Sequence, residues 1–452
     1  MTAETADASG AVTRPDAVGF AAWYAAIFLT LAASLSTVDR QILALMIGPI
    51  KHDFALSDSQ IGLLAGVAFT LLYSFATIPA AWLADRGSRR IVIGAGMLFW
   101  SLMTAVCGLA HQFSTLFLAR MGVGVGESAL APSSYSILSD LFPKRSLTTA
   151  VGLINTAPFL GLGIANVVGG PVIAHFEAAP PVILPVLGLM RSWQILFLLL
   201  GIPGVVLALI GLLTLSEPAR RGRASKSEEA PLSLDQLLAF LRSRGKFLSL
   251  HFIAYIALSI QGWGLFFWIV EFLVRQRGLT RAAAGLDFGT MAFALGLIGS
   301  IFAGQLATRL AGRAGADLTL RMVFWAVLVL GPLAILMPLV PQAWQTLALM
   351  VPILFLMAWP GGLGLSALQF VAPNELKGRI IALYMVVVNC VSLALGPYLG
   401  GLISDHVFAG KSLGNSLSLM AAINYPVAAL CLWACLGPFR KALDQARAWD
   451  QA

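Results

Sequence analysis

Arg120-Met-Gly-Val-Gly-Val-Gly-Glu127 decides how the rest of the chain is read. The stretch lies inside an apolar run from about Phe113 to Leu138, long enough to cross a bilayer as a helix. An arginine or glutamate in hydrocarbon is costly unless it faces protein or water, and such residues mark function by default. Arg120 and Glu127 are seven residues apart, which puts them on one helix face, about 10 Å apart at 1.5 Å per residue. Between them Gly122 and Gly126 form a small-xxx-small step that lets another helix approach closely. A second charged pair, Asp39-Arg40, lies deep in the first apolar segment. These four are the charges that fall well inside apolar segments.

The composition agrees with that reading. The chain has 452 residues, 58% hydrophobic and 11% charged, with mean hydropathy +0.85. Soluble domains carry roughly 25% charged residues, so this is an integral membrane protein. The net charge of +8 resides in short loops between apolar segments, which signals membrane orientation and excludes nucleic acid as a partner. Cys107, Cys390, Cys431 and Cys435 all fall in apolar segments, and no histidine or second cysteine pair near the last two completes a metal site. Residues 1–19 are polar, and the first apolar run is too long for a cleaved leader.

At about 20 apolar residues per crossing, twelve segments can be placed. The first six cover about 20–48, 59–84, 91–110, 114–138, 146–174 and 192–215. The second six cover about 247–273, 283–307, 318–340, 345–370, 379–403 and 413–437. The expected organisation is a tail at 1–19, a six-helix bundle at 20–216, a linker at 217–246, a second bundle at 247–440 and a tail at 441–452. In the linker, Leu234, Leu237, Leu238 and Leu241 recur at helical spacing behind Ser233 and Gln236, a capping-box pattern. This predicts a short amphipathic helix at the membrane surface. With the N-terminus inside, 21 of the 29 basic residues fall in inside loops and tails and six in outside loops. That bias predicts both termini in the cytoplasm. The absence of an Asn-x-Ser/Thr sequon and the short outer loops fit a bacterial inner membrane.

The halves echo each other. Ala81-Trp-Leu-Ala-Asp-Arg-Gly-Ser-Arg-Arg90 follows the second segment and Gly304-Gln-Leu-Ala-Thr-Arg-Leu-Ala-Gly-Arg313 the eighth. Basic loops recur after the fourth and tenth segments, at Pro143-Lys-Arg145 and Lys377-Gly-Arg379. Parallel six-helix repeats place a substrate site near the bilayer midplane between the halves and work by alternating access. The architecture expected is therefore an all-α membrane protein, with twelve transmembrane helices in two pseudo-symmetric six-helix bundles.

Leu83-Ala-Asp85-Arg86 with Arg89-Arg90 resembles the signature loop of the major facilitator superfamily, and Arg120 in a glycine-rich helix resembles its second common motif. Ala81 and Ser88 stand where glycines are usual, and Thr308 replaces the acid in the second copy. Val38-Asp-Arg-Gln41, the 120–127 stretch, Ser139-Asp-Leu-Phe-Pro143 and the run from Ala394 to Asp405 resemble the spinster-like branch, whose eukaryotic members export sphingosine-1-phosphate or lysophospholipids. The resemblance implies proton coupling through Asp39 and Glu127, substrate near Arg40 and Arg120, and a cytoplasmic gate in which Asp85 ties the N-half to the start of the eleventh helix. Arg86, Arg90 and Arg145 belong to the same inner loops.

Each feature also has a plainer reading. The four buried charges could be ion pairs tying the first helix to the fourth, since buried pairs contribute little net stability. Trp263, Phe267 and Trp359 fit an apolar cavity wall or lipid contact equally well, and Asn155 and Tyr384 are candidate polar cavity groups. Gly122-x-Gly-x-Gly126 follows no strand and is no dinucleotide fingerprint. Five histidines, all at segment ends, offer no enzyme constellation. The expected protein is a monomeric, proton-coupled transporter of an amphipathic, lipid-like anion, drawing on the proton gradient, surrounded by membrane lipid and needing no cofactor. The alternatives are a proton symporter of a small aromatic or sugar acid and a drug/proton antiporter.

Overall fold

The computed structural model describes residues 18–178, 182–184, 188–220, 234–311, 315 and 317–449. The expected tail at 1–19 lies outside the described residues except for its last two positions, as do linker residues 221–233 and Ser233 of the capping box. Twelve membrane helices account for nearly all of the rest. In the first half they are α1 (Phe20–Leu45), α2 (Asp58–Arg86), α3 (Arg89–Gly108), α4 (Phe113–Glu127 with Leu130–Leu141), α5 (Lys144–Ile154, Ala157–Val167 and Gly169–Ala178) and α6 (Ser192–Thr214). In the second half they are α7 (Gly245–Arg277), α8 (Arg281–Leu310), α9 (Leu318–Leu336), α10 (Ala343–Met357 with Trp359–Val371), α11 (Asn374–Tyr384 through Met385–Asn389 to Cys390–Phe408) and α12 (Leu413–Trp449). A short helix, Leu234–Ser243, stands where the leucine spacing of the linker predicts one. α12 continues to Trp449, so most of the expected 441–452 tail is helix.

Among the described residues, eleven helices are long and apolar enough to cross a membrane. α4 is the twelfth, and Arg120 and Glu127 lower its hydropathy. Phe75, Ile78, Leu213, Trp325 and Trp433 are each more than half exposed on the bundle exterior. A soluble protein rarely tolerates such apolar surface, whereas lipid requires it.

Glycine sets how closely the helices pack. A Cβ at Gly126 would meet the Trp100 backbone of α3, and one at Gly124 the Phe69 carbonyl of α2, so the glycine-rich α4 lets both neighbours close. Gly396 packs on the Gly264 backbone of α7, and Gly400 on the Trp268 indole. α2 and α11 each contain a wide-turn segment, Leu63–Ala68 and Met385–Asn389, a local irregularity common at functional sites.

The halves meet mainly at the face opposite the linker. There Gly62 and Gly66 of α2 lie against the Pro397 and Ala394 carbonyls of α11, and Gly401 lies against the Asp58 carbonyl. Gly285 and Gly289 of α8 pack on Asn166 of α5. At the linker face, Arg89 pairs with Asp140 of its own half and with Glu217 of the linker, and Asp317 pairs with Arg321 and Arg440 of its own half, so none of these ion pairs joins the two halves.

Candidate functional site

The four intramembrane charges come together, and they pair crosswise. Arg120 of α4 donates to Asp39 of α1 at 3.1 Å, and Thr104 of α3 donates to the other Asp39 oxygen at 2.8 Å. Arg40 donates to Glu127 at 2.8 Å, and Ser36 donates to the same Glu127 oxygen at 2.5 Å. Neighbours in sequence thus take partners on the other helix. A helix turns about 100° per residue, so Asp39 and Arg40 point different ways, while Arg120 and Glu127 share one face of α4.

The two pairs differ in access. The side chains of Arg120 and Asp39 are 1% and 4% exposed, and neither is among the residues lining the recess beside them. Glu127 is 1% exposed but its partner Arg40 is 25% exposed. Arg40 and Glu127 form part of the wall of a 160 Å³ recess between α1, α2, α4 and α5, with Thr37, Tyr73, Tyr135 and Asn155. The other Glu127 oxygen is buried without a hydrogen-bond partner. Arg40 also lies 5.4 Å from the Phe69 ring centre, a cation–π contact that steadies it. Of the two arginines expected near substrate, Arg40 lines this recess and Arg120 lies buried behind it.

Asn155 lines the recess and accepts from the Tyr135 hydroxyl at 3.0 Å. The aromatic residues expected opposite do not assemble into one wall. Phe267 is buried in an edge contact with Trp268, whose indole donates to the Pro397 carbonyl at 2.8 Å. Tyr384 is buried in a cluster with His251, Phe252 and Tyr255. Trp359 lines a separate cavity of the second half. Trp263 is half-buried on α7, its Cβ close to Gly396. The sequence left cavity wall and lipid contact equally open for Trp263, Phe267 and Trp359, and the structure buries Phe267, and with it Tyr384, in packing between helices.

At the linker face the buried hub is Arg89. It donates to Glu217 at 2.8 Å, to the Ser136 hydroxyl at 3.0 Å, to the Pro218 carbonyl at 2.8 Å, and to Asp140. Asp85 is exposed and its side chain meets no partner among the described residues. Its backbone carbonyl, with those of Ala84 and Gly87, accepts from Arg220 of the linker. Arg86 stacks 4.3 Å over Trp82, Arg90 reaches the Leu215 carbonyl at 3.5 Å, and Arg145 is exposed. The expected tie from Asp85 to α11 is therefore not made in this conformation. Burial opposes ionisation of Glu217, but hydrogen bonds from the Arg90 N–H, Arg89 and Ser88 outweigh it and hold the carboxyl below the usual glutamate range.

At the opposite face a second hub forms around Asp58 and Glu271, of which Asp58 was not singled out in the sequence. Asp58, fully buried, accepts from Lys51 at 2.5 Å, from Arg275 of α7 at 2.9 Å and from Ser404 of α11 at 2.8 Å. Asp405 returns the contact, accepting from the Asp58 and Ser59 N–H groups at the start of α2 at 3.1 and 2.6 Å. Glu271, also buried, holds Arg275 at 2.5 Å and Arg281 at 2.9 Å. Asp58 lies at a segment end, where a charge looks solvated.

A family model for the Major Facilitator Superfamily matches residues 29–436. An MFS-type efflux pump of Mycolicibacterium smegmatis is 28% identical over 448 residues, covering 94% of this chain and 95% of its own. A probable galactarate/D-glucarate transporter of Bacillus subtilis is 23% identical, covering 93% and 92%. The crystal structure of a bacterial homologue of the human lysosomal transporter Spinster, inward-facing and unoccupied, superposes with TM-score 0.74 at 24% identity, covering 95% of this chain and 98% of that one. A twelve-helix chain with charges buried between α1 and α4, matched along almost its whole length, is a multi-pass membrane transporter belonging to the Major Facilitator Superfamily.

Proposed function

We propose that the chain couples protons to the movement of an amphipathic organic anion, by alternating access between two six-helix bundles divided at the linker. The observation that carries this reading is Arg40 on the recess wall, held at 2.8 Å by Glu127, whose second oxygen has no partner. Two cations and two carboxylates balance in the buried cluster. An anion arriving at Arg40 unbalances it, and a proton on Glu127 restores neutrality while releasing Arg40 to its new partner. Proton and anion binding then reinforce each other, and linkage makes that reciprocal. Asp39 and Arg120 act from behind the wall, Arg120 neutralising Asp39 and fixing the register of α1 on α4.

The recess is mixed in chemistry. Arg40, Tyr135 and Asn155 suit an acidic head group, and Leu130, Ile154 and Pro158 suit apolar carbon. This supports an amphipathic anion, lysolipid-like in kind. A second reading, a hydrophilic sugar acid, draws on the Bacillus subtilis relative named for galactarate and D-glucarate. The basic loops orient the linker face to the cytoplasm of a bacterial inner membrane, and the protein acts as a monomer. Uptake into proteoliposomes, with lysolipids, sphingoid phosphates and sugar acids at several imposed pH gradients, decides between them. Gradient-driven flux of lysolipid and none of sugar acid is the expected result, and flux indifferent to pH overturns the coupling.

A further inference from the structure

Three basic side chains converge on one cavity at the linker face of the second half. The cavity measures 330 Å³ and lies between the end of the short linker helix, the start of α7 and the 437–445 stretch of α12. Arg244, Lys246 and Lys441 line it, with Ser243 and Gln445, and no acidic side chain is on its wall. Arg244 is buried and donates to the Ala442 carbonyl of α12 at 3.0 Å, which fixes its position. Lys246 and Lys441 are exposed, and neither meets a carboxylate among the described residues. Asp444, exposed on α12, is off the wall. The N-terminus of α7 begins beside them without a side-chain cap, and its dipole adds to the positive potential.

Deeper in the membrane the surface turns apolar on both helices. On α12, Leu430, Trp433, Gly437 and Lys441 recur at three- and four-residue spacing and so share one face. Leu430 and Trp433 are each 65% exposed there. On α7, Lys246, Leu250 and Ile253 share a face in the same way, and Ile253 is exposed. Phe247 stacked on Phe439 at 5.2 Å joins the two helices. A cationic opening at the helix ends thus continues into a lipid-facing stripe. Basic residues are expected at any inner helix end. What is particular here is that three of them share one opening with lipid-facing carbon beneath it.

We propose that this cavity binds the head group of an anionic phospholipid, whose acyl chains lie along α7 and α12 over Ile253, Leu430 and Trp433. Its charge selects an anion, and its continuity with the apolar stripe selects a lipid over a free phosphate. Basic pockets between membrane helices are a recurrent setting for anionic head groups. A volume of 330 Å³ holds a head group and leaves the chains outside in the leaflet. The bound lipid ties the linker helix, α7 and α12 to the bilayer at one point. Which leaflet supplies it rests on the orientation given under the proposed function. The site uses none of the residues that bind substrate there, and binding to purified protein is read without transport, so the two stand or fall separately.

The test is native mass spectrometry of the delipidated full-length protein, titrated with dioleoyl phosphatidylglycerol and with dioleoyl phosphatidylethanolamine. The first phosphatidylglycerol is expected to bind at least tenfold more tightly than the first phosphatidylethanolamine. Lys246→Gln and Lys441→Gln should each weaken it about fivefold, the effect of one basic residue near an anionic surface, and together by more than tenfold. Lys246→Arg and Lys441→Arg keep the charge and should bind within twofold of the parent. Arg309, at the end of α8, is exposed and off the cavity wall, so Arg309→Gln should change little. Equal affinity for the two lipids overturns the proposal. So does a loss in Arg309→Gln, or in the arginine variants, that matches the glutamine variants. Displacement of the lipid by millimolar inorganic phosphate overturns it too, because the site would then take a free anion. Both lysines are exposed, so every variant leaves the packed core untouched.

Discussion

Arg40 and Glu127, on helices far apart in sequence, meet at 2.8 Å with one side chain open to a recess and the other sealed. Under the proposed function the accessible member makes this pair a switch, since substrate entering the recess meets Arg40 first. The Arg120–Asp39 pair next to it is closed on both sides and braces the helices.

Arg40→Ala is expected to weaken substrate binding substantially. A charge-assisted contact to an anion contributes about 1.5–3 kcal/mol, roughly a tenfold to hundredfold change in affinity. Glu127→Gln mimics the protonated state permanently, so binding should persist while acceleration by a proton gradient disappears. Equilibrium binding and proteoliposome flux, measured on the same preparations, separate the two effects. Full gradient-driven flux in Glu127→Gln sinks the coupling model.

Removing Arg120 alone strands the Asp39 carboxylate in the membrane interior, and breaking a buried pair costs about 3–5 kcal/mol. Arg120→Ala should therefore lower thermal stability sharply. The double variant Arg120→Ala with Asp39→Asn should recover much of it, since no unpaired charge remains. A double-mutant cycle of melting temperatures reads the coupling, and additive losses would mean the pair is no brace.

Closure at the face opposite the linker depends on Asp58. Asp58→Asn weakens its contacts with Lys51, Arg275 and Ser404 together. A shift of about 1–3 kcal/mol, or 5–150-fold in population, toward opening at that face is expected. Gly66→Val should act the same way by driving a side chain into the Ala394 carbonyl. Spin-label distances across α2 and α11 are the measurement, and an unchanged distribution in both variants counts against the latch. Asp85→Asn should leave this conformation's stability unaltered, because the side chain has no partner here, and should show its effect only in the opposite state.

Glu217 ties the linker to α3 through Ser88, Arg89 and the Arg90 N–H. Its carboxyl is held below the usual range, so the stabilisation is fully present above the unfolded value of about 4.3 and fades only as pH falls through the lower folded value. Glu217→Gln should thus lower the melting temperature equally at pH 6 and pH 8 and narrow the gap only under strong acid. A mutational loss that already shrinks between pH 8 and pH 6 would contradict this assignment.

Cysteine introduced at Ser88 should be reachable by a membrane-impermeant maleimide only from the cytoplasm, and at Lys411 only from outside, in a background lacking the four native cysteines. The expectation rests on the 21-to-6 basic bias. External labelling at position 88 reverses the topology.

Apolar segment length made the twelve helices legible, since a chain in lipid must satisfy its backbone hydrogen bonds internally and a helix does so. Glycine spacing foretold where α4 is crowded. The identity of the four buried charges was equally plain, because nothing else in those segments is charged. Their pairing was not, since Asp39 bonds across to Arg120 and Arg40 to Glu127. The signature loop offered Asp85, Arg86, Arg89 and Arg90 alike, and only the packing of α3 on α4 and the linker turns Arg89 inward to Asp140 and Glu217. Periodicity gives the direction of a side chain around its own helix. Which helix stands there, at what depth, and with water or protein between, is fixed by contacts between residues distant in sequence, and for Asp58 and Arg275 those contacts join the two halves of the molecule.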